Sequence, residues 1–356
     1  MLPRETISTG PLVLRPPTEH DAEAIMRAAN DPVTAHFLPL LPSPYTLEDA
    51  HAWIKKAGEG TQFAISGPEG GYQGAVGVTG PDRWGTCQIG YLVAPWARGQ
   101  GIAARAARAV TDWAFDRGVA RMELSVNVEN LASVRAALSA GFSLEGVLRD
   151  LRVLRDGRRA DHALFSRLPG DPGEPASRYL PRFDELTDGV VRLTPIDAGD
   201  AADFHALLSD PLTVRYSVNP VPPMDQLLRR CRTTEFWWAT GQRVELAVRD
   251  AATGEFAGQI QLAQVVQPLD QAMVGYSLVP AFRGRGYMGR ALGLLVDWAF
   301  RETALHRIVA GTDVANEASQ RVLERAGFER VGVERELFPR PDGTRTDDVL
   351  WLRLRS

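Results

Sequence analysis

The sequence has little cysteine: two residues in 356, Cys87 and Cys231. They occupy unrelated places in the two halves and have no metal-ligand spacing. A disulfide framework is excluded, no metal site is expected, and isolated thiols suit a reducing compartment. Net positive charge is also missing. Lys and Arg number 40 against 44 Asp and Glu, a formal charge of −4. That balance carries no footprint of a nucleic-acid binder. No window approaches the roughly 18 apolar residues of a membrane span. The N-terminal stretch MLPRETISTGPLVLRPP has no continuous apolar core, which argues against a secretory signal. A cytoplasmic protein is therefore expected, with neither membrane nor nucleic acid as partner. The six histidines have no consistent partner across the halves, so Ser–His–Asp hydrolysis lacks support.

What is present is a repeat. Gly275 to Phe300 reads GYSLVPAFRGRGYMGRALGLLVDWAF, and Gly90 to Phe115 reads GYLVAPWARGQGIAARAARAVTDWAF. Each predicts a strand, a Pro, an Arg-Gly-rich loop and an amphipathic helix. Further pairs keep the same order: Asp31-Pro32 with Asp210-Pro211, Asn130 with Asn316, Ala140-Gly141-Phe142 with Ala326-Gly327-Phe328. The offset changes only twice, and a period of about 180 residues signals domain duplication rather than a solenoid. With 44% apolar and 24% charged residues, each half can form its own core. The expected domains are residues 1–168 and 188–356, with a Pro/Gly-rich linker at 169–187.

Locally, Asp21 is expected to start a helix that Asp31-Pro32 breaks. Thr46 and Asp49 form a helix-starting pair. Gly101 to Arg117 and Asn130 to Ala140 read as helices, with Asn130 as N-cap and Gly141 just past the end. Leu292, Leu295, Val296, Ala299 and Phe300 mark one buried helix face.

The loops admit two readings. Gly284-Arg-Gly286-Tyr-Met-Gly289 is literally a G-x-G-x-x-G string, a dinucleotide-binding signal. That fingerprint also needs an acid after the next strand. Asp313 offers one, but the first half has Asn127 there, and Ala104 in place of the final Gly. The other unit is Arg98-x-x-Gly101-x-Ala103. Together with G-Y, D-W-A-F, N-x-x-S and A-G-F in this order, it resembles the GCN5-related N-acetyltransferase (GNAT) family. More closely, it is similar to the branch that includes ribosomal-protein alanine N-acetyltransferases.

That resemblance implies an α+β class: two tandem folds, each a mixed, centrally splayed β-sheet flanked by helices. It implies acetyl-CoA as acyl donor. The pantetheine arm would pair with backbone of Leu92 and Val93, or of Leu278 and Val279. The pyrophosphate would sit on N–H groups of Arg98, Gly99, Gly101 and Ala103, or of Arg283, Gly284, Gly286 and Met288. A loop at a helix N-terminus suits that anion, because its N–H groups converge and the dipole is favourable. Asn130 and Asn316 would help hold the pantetheine, with Ser133 and Ser319 one turn on, near the thioester sulfur. Two departures stand out. Met288 replaces a small residue, and Gln88 and Met273 stand where a Glu is common.

The implied reaction is transfer of acetyl to a primary amine, of a small molecule or a protein or peptide N-terminus, by direct attack on the thioester. Ser133, Ser319 and Asp313 are the candidate catalytic residues, with Glu334 and Glu336 as further carboxylates. Acceptor selection is expected from His36, Phe37 and Tyr45 in one half and Tyr216, Trp237 and Trp238 in the other. The halves are expected to form an intramolecular pseudo-dimer. Two alternatives remain open: a CoA- or metabolite-binding regulator without turnover, and one active domain joined to a degenerate scaffold.

Overall fold

The computed structural model describes residues 2, 5–57, 61–174, 179–340 and 343–355. Part of the expected linker, 175–178, lies outside the described residues. The chain divides into two compact units, Met1–Ser177 and Arg178–Ser356. The first contains β1 (Ile7–Thr9), β2 (Leu12–Arg15), α1 (Ala22–Ala29), α2 (Pro32–Phe37), α3 (Leu47–Ala57), β3 (Thr61–Ser66) and β4 (Tyr72–Thr79). It continues with β5 (Thr86–Val93), α4 (Ile102–Phe115), β6 (Arg121–Asn127), α5 (Leu131–Ser139), β7 (Ser143–Val153) and β8 (Arg159–Arg167). The second unit repeats the order. It has β9 (Leu186–Thr187), β10 (Val191–Pro195), α6 (Ala201–Ser209), α7 (Pro211–Tyr216), α8 (Met224–Ala239), β11 (Val244–Asp250) and β12 (Phe256–Val266). Then come β13 (Gln271–Leu278), α9 (Tyr287–Glu302), β14 (Arg307–Asp313), α10 (Glu317–Arg325), β15 (Glu329–Pro339) and β16 (Arg345–Leu354).

Each unit is built on an eight-stranded sheet, ordered β1-β2-β3-β4-β5-β6-β8-β7 and, in the second, β9-β10-β11-β12-β13-β14-β16-β15. Only β5–β6 and β13–β14 are parallel. Those two pairings are short. Thr86–Gln88 run beside Arg121–Glu123, and Gln271–Met273 beside Arg307–Val309. Past Gln88 and Met273 the strands part, leaving one edge of β5 and of β13 without its neighbour. Each sheet is thus mixed and split at its centre.

Capping residues place the helices. The Asn130 side chain accepts from the Ser133 N–H, and Asn316 does the same for Ser319, both at 3.2 Å. Gly141 (φ 86°) and Gly327 (φ 77°) take the left-handed turn that ends α5 and α10. Asp31-Pro32 differs from expectation. It ends one helix and starts another, because Asp31 caps α2 and Pro32 occupies its first position. Proline is tolerated there, where no intrahelical donor is needed. Asp210-Pro211 repeats the device in α7.

The D-W-A-F motif is structural. Trp113 packs edge-on to Phe63, and Trp298 to Phe183 and Trp238. Asp112 pairs with Arg167 at 2.7 Å, and Asp297 with Arg353 at 3.9 Å, tying α4 and α9 to the strands β8 and β16. Within the segment expected to be linker, Leu180 and Phe183 pack into the core of the second unit.

Candidate active site

The Arg-Gly loops end at the N-termini of α4 and α9. Gly99 (φ 79°), Gly101 (φ 70°), Gly284 (φ 72°) and Gly286 (φ 80°) all adopt left-handed backbone. A Cβ added at any of them would meet nothing within 4 Å. Glycine is therefore required by backbone conformation, and the space beside it is open. Neither helix start is closed by a capping side chain. The first intrahelical bonds are Arg105 N–H to Gly101 O and Arg290 N–H to Gly286 O. The preceding N–H groups of each first turn remain for an anion. Met288 turns its side chain into the core, where it is 4% exposed. It leaves the loop mouth clear and offers only its N–H.

The loop arginines are fastened rather than free. Arg98 donates to Asp31 at 2.5 Å and to Thr34 Oγ1 at 3.0 Å. Arg283 donates to Asp210 at 2.5 Å and to the Leu278 carbonyl at 3.0 Å. The bond to Arg283 holds the Asp210 carboxyl below its ordinary value despite partial burial. Burial opposes the same shift at Asp31, but Arg98 and the Thr34 N–H outweigh it. Each carboxylate caps a short helix and clamps the loop, so these arginines shape the anion site before they charge it.

Ser133 and Ser319 lie on the first turns of α5 and α10, facing the split. Ser133 Oγ donates to Tyr91 Oη at 3.1 Å, and Tyr91 donates to the Ser133 carbonyl at 3.0 Å. Tyr276 Oη and Ser319 Oγ stand 2.9 Å apart. Burial pushes both phenols up to about 12, although the serine bonds oppose it. Both stay protonated across the working range of pH and can donate.

The strand edge needs one adjustment. Along the repeat, Leu92 and Val93 correspond to Ser277 and Leu278. The Val279 N–H is already bonded to the Ala257 carbonyl at 2.9 Å, as that of Ala94 is to Gln73 at 2.8 Å. Val279 therefore has no N–H for a pantetheine arm; by strand alternation Ser277 also faces β12, and Leu278 between them faces the open edge. Gln88 and Met273 occupy the last paired positions before the split.

In the second unit these parts border one cleft of about 720 Å³, lined by residues 275–278, Gly286, Gly311, Asp313, Asn316 and Ser319. Asp313 is buried. Its Oδ2 accepts from Arg340 at 2.7 Å and its Oδ1 from the Ala315 N–H at 2.8 Å. Directly across β16 from it is Asp348, and across β15 from that is Glu334. Opposed residues share a face, so three carboxylates form one row. Burial, then the charges of Glu334 and Asp313, push the Asp348 carboxyl up to about 6 against a hydrogen bond from the Thr312 N–H. In the first unit the same row reads Asn127, His162 and Leu148. Burial lowers His162 to about 4, helped by Arg152 and opposed by Asp161. Its Nδ1 lies 3.2 Å from Ser125 Oγ. Glu336 is placed elsewhere: it sits exposed at a bulge with φ 53° and is not among the cleft residues.

Of the acceptor aromatics, Tyr216 lines the cleft. Trp238 does not; it is core, with its indole N–H on the Leu180 carbonyl at 3.1 Å. Tyr45 is core in the first unit, and His36 and Phe37 pack on each other. Three pairs were missed as site residues: Asp31/Asp210, Tyr91/Tyr276 and His162/Asp348. Each pair falls at matching places in the repeat, which was the available signal.

The acetyltransferase (GNAT) domain profile matches residues 11–143 and 191–329. The chain belongs to the GNAT acetyltransferase family, with one such domain in each half. YjcK of Bacillus subtilis (strain 168), named a probable N-acetyltransferase, is 42% identical over 87 residues, 24% of this chain. The matched stretch spans about half of that relative, 48% of its length. Among solved structures, the ribosomal-protein-S5-alanine acetyltransferase of Vibrio fischeri aligns with TM-score 0.45 and 21% identity, covering 48% of this chain and 97% of that one. RimJ of Mycobacterium smegmatis, in complex with CoA-disulfide, aligns with TM-score 0.43 and 25% identity, covering 48% and 85%.

Proposed function

We propose that the chain uses acetyl-CoA to acetylate a primary amine, on a small molecule or a protein or peptide N-terminus. The observation that carries this is the single cleft of the second unit. It joins the open helix start at Gly286, the free edge of β13, Ser319 and Asp313, the one member of the carboxylate row that lines it. Acetyl-CoA fits these parts by their chemistry. Unpaired N–H groups suit its pyrophosphate, and a strand edge suits its amide-bearing arm. Bound there, it supplies the activated acetyl group.

The residues would divide the work as follows. Gly284 to Met288 bind the phosphates through backbone N–H groups. Leu278 aligns the arm, and Asn316 caps α10 beside it. Ser319 Oγ, held by Tyr276, donates a proton to the departing thiolate. Arg98 to Ala103, Leu92, Val93, Asn130 and Ser133 repeat the arrangement in the first unit.

A second reading is favoured by one difference. The first unit carries Asn127, His162 and Leu148 where the second has carboxylates. Under that reading the first unit holds CoA without turnover. Equilibrium dialysis of CoA against the full chain, with thiol release from acetyl-CoA over an amine panel, tests both. Two CoA per chain and amine-dependent thiol release are expected. No bound CoA would sink the proposal. Thiol release abolished by Gly286→Val alone would favour the second reading.

A further inference from the structure

The carboxylate row lies on a defined side of the second sheet. Ile308, Ala310, Val349 and Trp351 point into the core formed with α9. Alternation along β14 and β16 then puts Gly311, Asp313 and Asp348 on the opposite face. Glu334, paired across from Asp348, shares it. Gly311 and Asp313 line the cleft.

Asp348 is distinct within the row. Asp313 is neutralised by Arg340. Glu334 is exposed and stays in contact with water. Asp348 is 2% exposed, and its Oδ1 has no hydrogen-bond partner. A Cβ built on Gly311 would lie 2.4 Å from Asp348 Oδ2. The carboxylate therefore occupies the space that a side chain at 311 would fill, against a backbone that forms the cleft wall. The carboxyl takes one hydrogen bond, from the Thr312 N–H, and a buried carboxylate with one oxygen unpartnered is costly unless it is protonated or meets a cation. Asp313 and Glu334 face it from either side; among the described residues Arg340 is the one cation joined to the row, and it bonds Asp313.

Building on the acetyl-transfer reading, we propose that Asp348 is the catalytic proton acceptor of the second unit, taking a proton from the acceptor ammonium over Gly311. The row draws the cationic form of the amine. Asp348 removes one proton to give the neutral amine and a carboxylic acid. The nitrogen lone pair forms the N–C bond to the acetyl carbonyl. The C–S bond breaks with its electron pair on sulfur. Ser319 Oγ protonates the thiolate and takes the second proton of the attacking nitrogen in return, and Asp348 returns its own to solvent. A raised proton affinity fits this role, since a base is most effective near the working pH. His162 holds the equivalent place in the first unit over Ser125, so the two units would use different bases.

The test uses the full chain with carboxyl-¹³C-labelled aspartate. A resonance titrating near pH 6, absent in Asp348→Asn and shifted by acetyl-CoA, is expected. Titration in the ordinary aspartate range, or no response to acetyl-CoA while dialysis shows CoA bound, overturns the proposal. Failure of CoA to bind the wild type points instead to the underlying reading. With 1,4-diaminobutane as probe amine, Asp348→Asn is expected to lower kcat/KM by roughly 100-fold and to remove its acid limb. Gly311→Ala, which keeps the carboxyl but displaces it, should lower it similarly. Unchanged pH profiles in both variants would also overturn the proposal.

Discussion

The two units match around the Arg-Gly loop and differ on one face of the sheet. Both have left-handed glycines before an uncapped helix, an Asp–Arg clamp and a Tyr–Ser pair at matching positions. On the opposite sheet face the chemistry diverges. The second unit carries Glu245, Gln259, Gln261, Asp313, Asp348 and Glu334. By register, the first carries Gln62, Ala75, Gly77, Asn127, His162 and Leu148. Backbone geometry constrains the Arg-Gly loop, so few residue types can occupy it. The diverging face is built from side chains on fixed strands, which can change charge without disturbing the fold.

That contrast can be broken most sharply at the loops. Gly286→Val and Gly101→Val each force a β-branched residue into left-handed backbone and fill the open mouth. Each should weaken CoA at its own site by roughly two orders of magnitude and leave the other unchanged, read by equilibrium dialysis. Loss at both sites from either change would mean the sites are not independent.

Stability should respond to pH in opposite senses. The folded pKa of Asp348 is raised to about 6, so the folded state binds the extra proton. Its contribution is present below about pH 4 and is lost as pH rises toward 6 and beyond. The folded pKa of His162 is lowered to about 4, so the unfolded state binds the extra proton. Its neutral form stabilises above pH 6.5, and that stability is lost on acidification toward 4. Each effect is on the order of 2–3 kcal/mol. Urea midpoints from pH 4 to 7 for Asp348→Asn and His162→Gln should each remove one of these slopes.

Smaller effects are expected at the clamps. Asp210→Ala removes a helix cap and the partner of Arg283, and should cost about 1–2 kcal/mol. CoA affinity in that unit should fall several-fold, and Asp31→Ala should mirror it in the other. Smallest is Tyr276→Phe, which leaves Ser319 in place but frees its hydroxyl. A few-fold drop in kcat with unchanged KM is expected from steady-state kinetics.

Much of this was legible in the sequence. The duplication, the loop and the Asn130 and Asn316 caps follow from motifs whose residue types are dictated by backbone geometry, and the split sheet came from the family resemblance. Asp31-Pro32 was read as a helix breaker because proline stops helices more often than it starts them. Trp238 was assigned to the acceptor region because an aromatic cluster looks alike in a core and in a pocket. Asp348 escaped notice because its environment depends on a cross-strand neighbour, Asp313, far away in sequence. Val279 was taken together with Leu278, but neighbours on a strand alternate, so one has a free N–H and the other a paired one.

The Asp210 carboxylate has one more consequence. It caps α7, whose Leu212, Thr213 and Tyr216 form part of the cleft wall, and it grips the arginine of the phosphate loop. One side chain therefore sets the gauge between the helix wall of the cleft and its glycine loop, as a single rivet would.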